Sequence, residues 1–224
     1  MSQEQSTSEG FSKVERYFQE NKKSIAIIGG VAIALVLGFL AYIKFYKGPK
    51  EQEAQDIMWK AQYYFEKDSF NLAINGDGQH PGFAQIVDEY SGTDAGGLAY
   101  YYLGMCYLNT GQFDLAIEAL ENAEVEDMVV SSLAIGALGD AYMEKGDIET
   151  ALTQYEEAAS NDDNQFTTPL FLKKAAAIYE SQGEWAKAKE HYQTIYDKYE
   201  GSTEGRDIEK YLTRAQALSG EATE

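Results

Sequence analysis

Residues 103–123 read LGMCYLNTGQFDLAIEALENA and residues 138–158 read LGDAYMEKGDIETALTQYEEA. Laid one on the other, Leu103-Gly104, Tyr107, Gly111, Ala116, Leu120 and Ala123 coincide with Leu138-Gly139, Tyr142, Gly146, Ala151, Tyr155 and Ala158. A third, weaker copy runs through Ala175-Ala176, Tyr179, Gly183, Ala188, Tyr192 and Ile195. The small residues at 104, 139 and 176 stand 35 and 37 residues apart. A period of that length marks stacked units that cannot bury their apolar faces alone.

The residue types have physical reasons. Gly or Ala at the tight position of a first helix lets its partner helix approach, and the Tyr three residues on fills the space between them. Gly111, Gly146 and Gly183 are placed to end first helices in a left-handed cap, which only Gly adopts cheaply. Ala116, Ala151 and Ala188 fall where second helices cross their neighbours, and a larger side chain there overpacks. Upstream, Phe70-Asn71-Leu72-Ala73-Ile74 mirrors Phe113-Asp114-Leu115-Ala116-Ile117, so a divergent unit precedes the others, with its first helix over residues 55–67. Its second helix is interrupted by Asn75–Gly82 and resumes over Phe83–Tyr90. Asn75-Gly76-Asp77-Gly78 has the start of a calcium loop, but the closing Glu is missing, which favours a plain turn insertion. Ser202–Leu218 reads as a charged helix covering the open face of the last unit.

These residues resemble the tetratricopeptide repeat family, over about Gln55 to Leu218. The resemblance implies an all-α fold: a right-handed α-solenoid of about four helix pairs plus a C-terminal capping helix. It also implies a concave surface lined by set positions of each first helix. The first unit would present Asp56, Trp59, Tyr63 and Glu66, and the second Leu98, Tyr101, Met105 and Leu108. The third would present Leu133, Gly136, Asp140 and Met143, and the fourth Leu170, Lys173, Ala177 and Glu180. Lys173 is the one basic side chain among them, which argues against a carboxylate clamp. Trp59, Tyr63, Tyr101, Met105, Leu108 and Met143 suit an apolar or amphipathic segment of a partner protein. Two other readings stay open: a flanking helix fills the groove, or these side chains belong to the core.

Composition narrows function from another side. The chain carries 18 basic and 37 acidic residues. Seven of the basic and four of the acidic ones precede Glu51, leaving 11 against 33 in residues 51–224, a net charge of −22. So acidic a segment repels nucleic acid and anionic headgroups. Cys106 is the single cysteine, and His80 and His191 are the only histidines. That composition excludes an internal disulfide and any Cys- or His-rich metal site. No nucleophile elbow, phosphate loop or dinucleotide fingerprint is present. Glu118, Glu121, Glu124, Asp147 and Glu149 fall on faces expected to be solvated. No catalytic residue, metal, cofactor or small-molecule substrate is expected.

Before the repeats, Ser24 to Ile43 holds no charged residue. Twenty helical residues span roughly 30 Å, one bilayer core. Lys22 and Lys23 close one end, Lys44, Lys47 and Lys50 the other, with Tyr42, Phe45 and Tyr46 placed for the interface. The competing reading, a cleaved signal peptide, has a shorter apolar run and a small-x-small cleavage site, and neither is found here. Residues 1–23 are then a charged tail, 24–43 a transmembrane helix, 44–54 a basic juxtamembrane linker and 55–224 the repeat domain. Ala26, Gly30, Ala34 and Gly38 recur every fourth residue, a stripe that suits a helix contact or simply the small residues common in spans. Phe11, Val14, Tyr17 and Phe18 have the spacing of a short amphipathic helix, or of a frayed tail.

The layout, including Val14–Asn21 before the span, resembles the YfgM-like single-span ancillary subunits of the bacterial Sec translocon. That resemblance implies an inner-membrane protein with its N-terminus in the cytoplasm and its repeats in the periplasm. Its partners would be translocon subunits and a membrane-bound periplasmic chaperone. The alternatives are a periplasmic scaffold for envelope biogenesis or division, and a cytosol-facing receptor.

Overall fold

The computed structural model describes residues 21–220 and divides into two compact units, Met1–Lys50 and Glu51–Glu224. The expected amphipathic segment around Phe11, Val14, Tyr17 and Phe18 lies outside the described residues.

In the first unit, helix α1 (Lys22–Tyr42) is apolar on every side and none of its residues is buried. It is long and apolar enough to cross a membrane. Ala26, Gly30, Ala34 and Gly38 are exposed along it, and nothing lies within 4 Å of a Cβ added at Gly30 or Gly38. The helix passes into one π-helical turn, Ile43–Lys47, where the Gly48 N–H donates to the Ile43 carbonyl. Pro49 comes next. It has no N–H to donate, and its ring would crowd the carbonyl four residues back, so the wider turn accommodates it. Residues 44–54 are therefore helical.

The second unit is a succession of helix pairs. Helix α2 (Gly48–Glu66) packs with a split partner, α3 (Phe70–Asn75) and α4 (Phe83–Tyr90). Then come α5 (Asp94–Asn109) with α6 (Phe113–Glu121), and α7 (Met128–Lys145) with α8 (Ile148–Asn161). Helix α9 (Thr167–Ser181) pairs with α10 (Trp185–Lys198), and α11 (Ile208–Leu218) closes the unit. The helix predicted from Ser202 starts later. Ser202 is buried, and its Oγ accepts from the Gly205 N–H at 2.9 Å, closing a turn that leads into a single 3-10 turn before α11 begins. Ile208, Leu212 and Ala215 then lie buried against Tyr192 and Ile195, so the cap covers the last pair as expected.

The glycines act as their positions suggested. A Cβ at Gly104 would meet the Leu120 side chain at 2.5 Å, and one at Gly139 would meet the Tyr155 ring at 2.7 Å. Gly111, Gly146 and Gly183 adopt φ of +73°, +80° and +76°. The core is a chain of clusters handed from pair to pair: around Phe83 and Ile86, around Leu120 and Ala134, around Tyr155 and Phe171, and around Tyr192 and Ile195. Tyrosine hydroxyls bond carboxylates along this chain, Tyr155 donating to Asp140 at 2.6 Å and Tyr179 to Glu156 at 2.7 Å. Burial and then these carboxylates push both phenols up, Tyr179 to about 12.

Candidate partner-binding surface

The positions carried over from the repeat pattern divide into three groups. Trp59 is 54% exposed and Tyr63 45%, on the same face of α2. The Lys60 ammonium stands 5.4 Å from the Trp59 ring centroid and 4.9 Å from that of Tyr63. His80 meets Trp59 edge-on at 5.7 Å. Exposed aromatics are an adhesive surface, since ring faces attract both apolar groups and positive charge. Met143 on α7 is also exposed.

A second group is half-buried. Tyr101, Met105 and Leu108 pack on Leu120, Ala134 and Ala137, between the second pair and the third. Leu98 packs on the first cluster, and Leu133 on the cluster around Phe171. These side chains stack one unit on the next as well as facing outward. Burial raises the Tyr101 phenol above its ordinary value.

The third group is engaged internally. Asp140 accepts from the Tyr155 hydroxyl and pairs with the Lys174 ammonium at 2.5 Å. The Lys173 ammonium lies 5.1 Å from the ring centroid of Tyr211 on the capping helix. Gly136 is buried, and the Phe171 ring occupies the space its side chain would take.

The insertion at 75–82 is held by its own carboxylate. Asp77 Oδ1 accepts the backbone N–H of Gln79 at 2.8 Å and of His80 at 2.7 Å, and Oδ2 accepts the Tyr64 hydroxyl at 2.9 Å. Those backbone donors, Gln79 first, hold the Asp77 carboxyl far below the usual carboxylate range. An aspartate so fully engaged closes a turn, in keeping with the turn reading of Asn75–Gly82.

One feature escaped the sequence. A cavity of about 230 Å³ opens between α4, α5 and α6. Val87, Leu103 and Ala119 line it together with Tyr100, Tyr107 and Leu115, and Asp88 and Glu118 lie at it as well. Leu115 is 42% exposed. It neighbours buried Ala116 in a segment the repeat alignment had already matched, but a repeat alignment reports where small residues recur, not the gaps they leave. Cys106, nearby on α5, is buried, and burial pushes its thiol up to about 12.

The family model for the tetratricopeptide repeat-like domain matches residues 15–214, a stretch that includes α1 as well as every helix pair. No curated protein matches the sequence. Among solved structures, the fold is similar to that of a Podospora anserina protein described as a kinesin light chain with nearly identical TPR-like repeats. The TM-score is 0.54 at 15% identity, over 75% of this chain and 87% of that one. At that identity the likeness is one of fold.

Proposed function

This chain belongs to the tetratricopeptide repeat-like family, and from that premise we propose that it is a membrane-anchored adaptor whose repeats hold partner proteins at the cell envelope. Repeats of this kind supply an interaction scaffold. The observation that carries the anchoring is α1, a 21-residue helix on which no residue is buried. So large an exposed apolar surface is normally covered or used, and a bilayer covers it on all sides. The family match, which extends across α1, supports reading that helix together with the repeats.

The finer reading follows the resemblance of the layout to the YfgM-like subunits. The protein acts as an accessory subunit of the Sec translocon, with its N-terminus in the cytoplasm and its repeats in the periplasm, and links the translocon to a membrane-bound chaperone. The strong negative charge beyond Glu51 supports a domain that stays clear of anionic headgroups.

Two experiments test this. Thr203, exposed in the loop before α11, is replaced by Cys in a Cys106→Ser background and probed with a membrane-impermeant thiol reagent. Labelling from the outside in intact spheroplasts is expected, whereas labelling only after the cytoplasmic face is opened ends the periplasmic reading. Photo-crosslinkers at Gly30 and Gly38 are expected to capture translocon subunits. Capture of outer-membrane or division components instead would move the protein to the scaffold alternative.

A further inference from the structure

We propose that the cavity between α4, α5 and α6 is a second contact site, which takes one Arg or Lys side chain of a protein partner. It goes beyond the surface around Trp59 and Tyr63 and uses different helices.

Size, lining and charge agree on that occupant. About 230 Å³ is below the roughly 300–1,000 Å³ of pockets for drug-sized ligands, and is right for a single side chain. Val87, Leu103 and Leu115 offer an apolar bed for a methylene stem, and Tyr100 and Tyr107 add ring surface for a cation. Asp88 comes from α4 and Glu118 from α6, and neither makes a side-chain hydrogen bond or ion pair with any described residue. Carboxylates at other helix contacts of the array do have partners. Asp114 pairs with Lys145, Asp140 with Lys174, and Glu180 with Arg214. The Tyr107 phenol lies close enough to both free carboxylates that, after burial, Glu118 and Asp88 help to raise it.

The last pair shows one way of filling this position, which the third pair fills with the neutral Gln154. Ala119 stands eight residues after Gly111, and His191 eight residues after Gly183. In the last pair, the His191 ring packs edge-on against Tyr179 at 5.5 Å, and its Nε2 lies 3.5 Å from Glu156 on the preceding second helix. A basic ring thus fills the space between the repeat tyrosine and the neighbouring acid. In the second pair the same position is Ala119, and the space is left open beside Tyr107 and Asp88. The array is completed there by a base from outside. A free amino acid would bring its α-carboxylate toward Asp88 and Glu118 with no lining cation to receive it, so the base arrives on a polypeptide.

The test uses the full chain in detergent micelles with labelled Val and Leu methyls, titrated with Nα-acetyl-L-arginine amide. Saturable shifts are expected at Val87, Leu103 and Leu115, with no such response to the citrulline analogue and weaker binding by uncapped L-arginine. Asp88→Asn with Glu118→Gln should weaken the arginine amide by roughly tenfold or more, as loss of charge-assisted hydrogen bonds does. Both residues are exposed, so the fold is kept. Ala119→His should abolish the response by occupying the space. Glu149→Gln with Glu157→Gln, on exposed positions of α8, should leave it unchanged. The proposal is overturned if citrulline binds as well as arginine, if uncapped arginine binds tighter, or if the two neutralised pairs weaken binding equally.

Discussion

Gly136 offers the sharpest test of how the units stack. A Cβ added there would lie 2.8 Å from Phe171 Cδ1 and closer still to Cε1 and Cζ. The ring has no easy retreat. Phe171 is 2% exposed, and its ring stacks on that of Tyr155 at a centroid distance of 6.2 Å with 13° between planes. Overpacking of a filled site costs about 1–3 kcal/mol, and the trapped ring puts this position at the upper end. Replacing Gly within a helix returns about 1 kcal/mol of propensity. Gly136→Ala should therefore destabilise by about 2 kcal/mol net, a fall in Tm of about 4–8 °C for a unit of this size. Thermal unfolding of residues 51–224, followed by far-UV circular dichroism, reads the global effect. Hydrogen exchange should place the loss in α7–α9 and spare α2–α4, because repeat arrays couple mainly to nearest neighbours. Phe171→Leu should make room, so the double variant loses about 1–2 kcal/mol less than the sum of the singles. An unchanged or raised Tm for Gly136→Ala, or a strictly additive cycle, refutes the reasoning.

Gly97→Ala should be worse, at about 3 kcal/mol or more, because its Cβ would strike the backbone carbonyl of Glu124, with the carbonyl carbon at 2.9 Å, and no rotamer change relieves that; a mild effect in the same melt would show that the loop after α6 yields. Trp59→Ala with Tyr63→Ala should leave Tm within a degree or two, as befits exposed side chains, yet lower partner capture in a pull-down with the crosslinked subunit by at least tenfold. Full capture by that folded variant removes α2 from the interface. On the alkaline side, Tyr179 and Tyr199 are pushed up from 10.0 to about 12, first by burial and then by donation to Glu156 and Asp163. Folded values above unfolded ones mean that their stabilisation is whole below pH 10 and is lost as pH rises toward 12. The helical signal should fall across that window together with the rise of tyrosinate absorbance, and a flat helical signal through pH 12 contradicts the assignment.

Most of the fold was legible because its constraints are local. A tight Gly or Ala, a Tyr one turn on and a left-handed Gly recur at fixed offsets, and each answers to one steric fact within its own pair. The split second helix of the first unit was legible for the same reason: Phe70–Ile74 matched a known helix, and Gly76 and Gly82 allowed no continuation. The late start of α11 was not legible. The charged run from Ser202 has helical composition, but the Ser202 hydroxyl bonds the backbone N–H of Gly205 and so competes with the helix.

The surface was harder to read, because a face of a first helix serves two tasks that sequence does not separate. The set positions of each first helix turn the same way from the pair, yet what they meet depends on the neighbouring unit. Gly136 meets a ring supplied by α9, Asp140 meets a tyrosine from α8 and a lysine from α9, and Tyr101 meets alanines from α7. At the array's first unit the face stays open, and Trp59 and Tyr63 remain exposed there. The same reasoning explains the cavity beside Tyr107. Its contents are set by a residue eight positions past the cap glycine, which the repeat alignment leaves free to be Ala119, Gln154 or His191. Variation at such free positions costs the fold little, so partner specificity is best sought at the exposed end of the array and in the gaps between its units.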